Sequence, residues 1–264
     1  MKKLLLLILC IVFAGCPSPP PPRVEAPPPP PPPVIKPAAP EVVVLVGSIN
    51  LSKFSKKLEH GDVHSFAAVL QHDSIDILAM EGITRYPGLP DRVDIVDELS
   101  GAAGMRSSFG ETMTLQGRQS GNAVFSTFPI RTSENTPYEK LHSTKLEAAF
   151  QAVIDCGTRD MVVVSTLLPE NASREDQTTV INVLGTFTTY YPGHPVCVTG
   201  NLPMSADLRN LISFGDAEAI HDRTAPRFWL SNGGGVRLLG ARAEKTPLGM
   251  MTVARLGLFR QTSR

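Results

Sequence analysis

The segment from Pro17 to Pro40 constrains this chain more than any other, because it holds 14 of the 24 prolines and includes the unbroken run Pro27–Pro33. Each proline fixes φ at about −65° and lacks an amide donor, so the run can enter neither a helix nor a sheet interior. What is left is polyproline II or a conformation close to it, and at ~3.1 Å per residue such an arm would span on the order of 75 Å. The segment is therefore expected to be a stiff linker, and whatever folds must begin near Glu41. The 224 residues after position 40 are ample for a core. A hydrophobic content of 42% with 19% charged residues excludes a disordered chain. The 25 basic and 25 acidic side chains balance, which gives no reason to expect a polyanion-binding surface over the whole molecule but leaves room for a local patch.

Ahead of the linker stand Met1-Lys2-Lys3, an apolar run from Leu4 to Ala14, and Gly15-Cys16. A charged start and an apolar run of about a dozen residues have the form of a secretory signal, and the run is short for a membrane span of ~20 residues. Phe13-Ala14-Gly15-Cys16 resembles the lipobox of bacterial lipoproteins, with Phe13 where leucine is usual. In those proteins cleavage leaves the cysteine at the new N-terminus carrying acyl chains. The resemblance implies an exported chain, lipid attachment at Cys16 and residence in the cell envelope; several acyl chains at ~0.8 kcal/mol per buried methylene would hold it firmly. The competing reading is an ordinary cleaved signal with Cys16 as a stray thiol. The expected organisation is a signal peptide over 1–16, a linker over 17–40 and one domain over 41–264. Of the four cysteines, Cys156 and Cys197 remain in the body. Export permits a disulfide between them, and two strand cysteines are as often buried small hydrophobes.

From Glu41 the chain alternates β-rich runs with helical periods. Val42–Val46 reads as a buried strand, and Val63, Phe66, Ala67 and Leu70 recur at helical spacing on one apolar face. Ile75–Glu81 is the next strand, and a helix is expected over Asp91–Ala103. Further strands are expected at Gly121–Ser126, Leu146–Cys156, Met161–Thr166, Pro195–Gly200, Arg227–Ser231, Val236–Ala243 and Met250–Phe259. Val180, Val183, Leu184 and Phe187 repeat the helical spacing, and a short helix is expected at Ser205–Ser213. Several strands arrive without a crossover helix, which favours mixed sheets over a wholly parallel one.

The order of these landmarks resembles the endonuclease/exonuclease/phosphatase superfamily. The residues that carry the likeness are Ser48-Ile49-Asn50 at the end of the first strand, Ile75–Glu81, and Gly121–Phe128 followed by Pro129-Ile130. Arg174 and Gln177 in a helix and Val198-Thr199-Gly200-Asn201 follow in the same order. The resemblance covers Glu41 to about Phe259. It implies an α/β fold of two packed mixed β-sheets flanked by helices, a four-layer α-β-β-α sandwich. It also implies metal-dependent phosphodiester chemistry: a carboxylate holding Mg²⁺, an Asp–His pair and a GDxN aspartate activating water, and a histidine and an asparagine on phosphate oxygens.

Residue by residue, Asn50 stands at the first-strand asparagine and Glu81 at the metal-binding glutamate. The strand end with the family histidine is here Thr166-Leu167-Leu168, and GDxN is Gly200-Asn201-Leu202-Pro203. The C-terminal Asp–His pair aligns with Pro247-Leu248-Gly249, and a further aspartate falls near Arg227. An amide cannot take a proton at neutral pH, and general acid–base groups contribute roughly 10²–10⁴-fold each. The expectation is therefore a catalytically inactive binding or scaffold module with a vestigial site at Asn50, Glu81 and Asn201, and with Glu81 as metal ligand if any. The alternative is an active Mg²⁺-dependent phosphodiesterase or nuclease with a rearranged site, to which His221-Asp222 or Asp216 and Glu218 could contribute; a solvated loop is the plainer account of those four. His60, His64, His72, His142 and His194 show no shared spacing. Gly233-Gly234-Gly235 is expected to be a flexible turn, and Trp229 a core residue. The expected partners are the membrane through Cys16 and an unidentified envelope protein or phosphate-containing ligand, with the chain itself monomeric.

Overall fold

Val42–Asn50 forms β1, and the β-branched run places it at the middle of a sheet, where both faces are covered. It pairs in parallel with β2, Ile77–Arg85, and antiparallel with a strand from the far C-terminus. A parallel neighbour requires a crossover, and α1, His60–His72, supplies it. Its buried face is Val63, Phe66, Ala67 and Leu70, as the spacing predicts. A second helix, α2 (Ile95–Ala103), starts where the Asp94 carboxylate accepts the Val96 amide at 3.1 Å and ends at Gly104 in the left-handed region. This is why the helix expected from Asp91 begins four residues later. The computed structural model describes residues 39–52, 54, 57–89, 92–138, 147–168, 172–202, 211–214 and 225–260. The residues from Ala38 on make one compact unit.

The remaining elements are β3 (Arg106–Leu115), β4 (Arg118–Ser126), β5 (Ile130–Pro137), β6 (Ala148–Asp155), β7 (Asp160–Leu167) and α3 (Arg174–Tyr190). They are followed by β8 (Val196–Asn201), β9 (Leu211–Phe214), β10 (Arg227–Ser231), β11 (Val236–Thr246) and β12 (Gly249–Leu258). They build one sheet of order β11-β12-β1-β2-β4-β3 and another of order β5-β6-β7-β8-β10-β9. The second sheet repeats the device of the first, since β7 and β8 run parallel with α3 between them. Three apolar layers result. Phe66, Leu70 and Leu99 pack between the first sheet and its helices, and Val46, Phe150 and Leu256 between the two sheets. Val180, Phe187 and Trp229 pack between the second sheet and α3. The fold is the α-β-β-α sandwich of mixed sheets, and Trp229 is a core residue. Burying a side chain such as Phe66 or Phe187 contributes about 2–3 kcal/mol.

Three expectations need correction. The segment Leu211–Phe214 is strand β9 on the edge beside β10, so at its end the Ser205–Ser213 segment is extended and not helical; residues 203–210 lie outside the described ones. Strands β3 and β5 were not anticipated, because their sequences RSSFGETMTL and IRTSENTP carry polar side chains on both faces. The Gly233–Gly235 segment is no loose turn. A Cβ at Gly234 would meet the His194 carbonyl oxygen at 2.3 Å, and one at Gly235 the Phe259 carbonyl oxygen at 2.6 Å. Glycine is used there for close approach of backbone as the chain crosses from one sheet to the other.

Candidate functional site

Alternation along each strand decides which side chains enter the layer between the sheets. On β1 these are Val44, Val46 and Ser48, with Asn50 next in phase; on β2 they are Ile77, Ala79 and Glu81. On β7 they are Met161, Val163 and Ser165, and on β8 Cys197, Thr199 and Asn201. The layer is apolar through its middle and turns polar at the carboxyl ends of these parallel strands. Asn50 lies beside Glu81 in the β1–β2 register, Thr166 beside Gly200, and Leu167 beside Asn201. The Ser165 hydroxyl reaches across from the second sheet to Glu81. Asn50, Glu81, Gly200 and Asn201 therefore stand on one rim, as the resemblance implies.

Glu81 is 0% exposed. Ser48 Oγ donates to its Oε1 at 3.1 Å and to Oε2 at 3.3 Å, and Ser165 Oγ donates to Oε1 at 3.1 Å. Burial pushes the carboxyl well above the usual carboxylate range, and the Ser165 and Ser48 hydroxyls only partly offset that. The result is a carboxyl enclosed by two serines. Asn50 does not open the site. Its Oδ1 accepts the Ser52 amide at 2.8 Å while the Leu51 amide donates to the Glu81 carbonyl at 2.8 Å, which folds the chain back over Glu81.

Gly82 follows with φ at 66°, at the irregularity where β2 and β4 lose register. Its amide donates to Asn122 Oδ1 at 3.1 Å, and Asn122 Nδ2 donates to the Ala148 carbonyl at 3.2 Å. Asn122 is buried, so this amide ties both sheets together at the rim.

On the opposite side Tyr138 and Thr166 share a hydrogen bond between buried hydroxyls. The Asn201 carbonyl accepts the Leu168 amide at 3.2 Å. Leu167, where the family places a histidine, lines a cleft of about 290 Å³ together with Ser52, Gly82, Asn122 and Ala148. Glu81 is not part of its wall. Leu248 is buried beneath the helices with Ile49 and Met251, so it does not cover this cleft.

Ser48, Asn122 and Ser165 were not singled out from sequence as site residues. The available signal was a polar residue in phase with apolar ones inside β-branched runs, as in Met161-Val162-Val163-Val164-Ser165. The described histidines do not join the rim. His60 and His64, four apart on α1, both face Glu98 of α2, at 2.7 and 3.5 Å, which corrects the reading of no shared spacing. His72 pairs with Asp73 at 2.8 Å, and His194 meets the Tyr191 ring edge-on. His142, Asp216, Glu218, His221, Asp222 and Cys16 lie outside the described residues. Cys156 and Cys197 are free and buried in the layer between the sheets, where burial raises both thiols, Cys156 to about 12. Among the described residues no group of three or more His, Cys, Asp or Glu is arranged to hold a metal ion.

No family model matches the chain, and no curated protein matches it in sequence. Solved structures do match in shape. An endonuclease/exonuclease/phosphatase from Beutenbergia cavernae superposes with a TM-score of 0.63 at 15% identity, covering 82% of this chain and 72% of that one. An endonuclease/exonuclease/phosphatase from Bacteroides vulgatus gives 0.61 at 9% identity, covering 83% of this chain and 100% of that one. TDP2 from D. rerio, complexed with single strand DNA product, gives 0.61 at 11% identity, covering 81% and 99%. At such identities the likeness is one of fold: the chain is built on the endonuclease/exonuclease/phosphatase fold.

Proposed function

We propose that the chain is a lipid-anchored protein of the cell envelope that holds a catalytically inactive domain of this fold away from the membrane as a binding module. The observation that carries the inactive reading is the state of Glu81, the one carboxylate at a family metal position. It is fully buried, its oxygens accept from Ser48 and Ser165, and it is not part of the wall of the cleft. Mg²⁺ ordinarily needs one or two carboxylates with open coordination positions, whereas both Glu81 oxygens accept serine hydroxyls inside the fold. The residues present do not fit the ion, and no step is assigned to it. The replacements at Leu167, Asn201 and Leu248 support the same reading, since each removes a group the family reaction uses. The anchor rests on Phe13-Ala14-Gly15-Cys16 and the spacer on Pro17–Pro40.

The test is turnover by the purified protein with Mg²⁺ or Mn²⁺ against DNA, a phosphodiester and a phosphomonoester. No rate above the metal-only background is expected. Turnover that disappears in Glu81→Ala would overturn the reading.

A further inference from the structure

His60 and His64 are four residues apart on α1, and at 3.6 residues per turn they stand one above the other on one side of the helix. Both rings face the same carboxylate on α2: His60 Nδ1 lies 2.7 Å from Glu98 Oε2, and His64 Nε2 lies 3.5 Å from Glu98 Oε1. Three groups with metal-ligating chemistry thus meet at one spot, and none of them is in the wall of the cleft at the rim. The helices that carry them are held together by their own packing. Val63 and Phe66 of α1 share one apolar cluster with Val96 and Leu99 of α2, and further along Gln71 Nε2 donates to the Ala102 carbonyl at 3.0 Å.

Glu98 is only partly satisfied there. Its side chain is 18% exposed, and its Oε1 is buried without a hydrogen bond among the described residues. A carboxylate oxygen taken out of water without a donor is unfavourable, and a cation beside it removes that penalty. The two rings, by contrast, are 68% and 65% exposed, so they can turn without disturbing the core. As they stand the three side chains are closed on one another and not set around an ion. Two donors on one Zn²⁺, each ~2.0–2.1 Å from it in tetrahedral geometry, lie about 3.3 Å apart. The His64–Glu98 separation of 3.5 Å is already close to that, and the His60 ring needs to withdraw from Glu98 by roughly half an ångström.

We infer that His60, His64 and Glu98 bind a divalent cation of the Zn²⁺ class, which pins α1 to α2. Imidazole suits Zn²⁺, and two histidines at i, i+4 on one helix face offer their rings to a single ion. The Glu98 carboxylate supplies the third bond and part of the balancing charge, and water completes the tetrahedron. Mg²⁺ is a poor match for this set, because it favours oxygen ligands in octahedral geometry. The ion would brace the α1 crossover between β1 and β2 from outside the sheet and take no part at the rim. The inference is independent of whether the domain turns over phosphodiesters.

The experiment titrates Zn²⁺ into the full chain in detergent micelles, without an affinity tag and after metal has been stripped with EDTA and the EDTA removed. Calorimetry and the imidazole ¹⁵N signals are the readouts. One saturable site that moves the ring signals of His60 and His64 is expected, at least about 10-fold tighter for Zn²⁺ than for Mg²⁺. His60→Ala, His64→Ala and Glu98→Gln should each weaken Zn²⁺ binding by about 10-fold or more. His72→Ala, at the last turn of α1, should leave it unchanged. Zn²⁺ should raise the thermal midpoint of the wild type and not that of the double histidine variant, while the two melt together in the absence of metal, which separates loss of a ligand from loss of fold. Absence of saturation, equal binding of Mg²⁺, or histidine variants that bind as the wild type does would overturn the inference and leave the inactive reading standing. Zn²⁺ binding that is lost in Glu81→Gln and kept in His60→Ala would overturn both.

Discussion

Gly200→Ala is expected to destabilise the fold by at least about 3 kcal/mol, enough to lower the thermal midpoint by roughly 10 °C if the protein still folds. Gly200 occupies φ of 144°, and a Cβ there would stand 1.7 Å from the Thr166 carbonyl oxygen. That oxygen belongs to the backbone of β7, which pairs with β8 at this point, so no side-chain rotation relieves the overlap. On its other side Gly200 is in register with Arg227 of β10, so three strands must shift together. Gly185 is the control. It lies within α3 with nothing near its added Cβ, and Gly185→Ala should stabilise by up to about 1 kcal/mol. Urea or thermal unfolding of the two variants checks both; equal midpoints would contradict the geometry of the rim.

The second large effect is the pH dependence that Glu81 imposes. A carboxyl whose pKa is higher in the folded than in the unfolded chain binds its proton more tightly when folded. Its contribution to stability is therefore fully present below the unfolded value of about 4.3 and is lost as pH rises through the folded value. For one proton the loss reaches about 1.4 kcal/mol per pH unit inside that window. Asp73 acts in the opposite sense. Its partners His72 and Arg242 hold it down to about 2, so its contribution is present above the ordinary aspartate value and lost as pH falls. The two are separated by Glu81→Gln, which keeps the shape and removes the titration. Wild type and variant should be of similar stability near pH 4, and the variant should become progressively more stable as pH rises. Parallel stability curves for the two proteins from pH 4 to 8 would contradict a raised pKa.

Much of the fold was legible because β1, β7 and β8 are β-branched runs and α1 and α3 carry one-sided apolar periods. Those signals come from residues whose burial is decided within a single element. β3 and β5 escaped because they are edge strands held by polar contacts to each other, such as Ser108 with Ser133 at 2.7 Å and Asn135 with the Glu111 carbonyl. No local period announces a contact of that kind. The rim divides in the same way. Asn50 and Glu81 could be placed because both stand where the parallel pairing of β1 with β2 stops, whereas the enclosure of Glu81 depends on Ser165, 84 residues away on the other sheet. Only the face-to-face packing of the sheets reveals that Glu81 is an interior carboxyl hydrogen-bonded by serines from both sheets.

The protonation state of that acid is therefore the most direct test of the account. The ¹³C resonance of the Glu81 carboxyl, assigned by its loss in Glu81→Gln, should titrate above the ordinary glutamate range and stay unmoved when Mg²⁺ is added. A carboxyl that titrates in the ordinary range and whose resonance moves on addition of Mg²⁺ would contradict it.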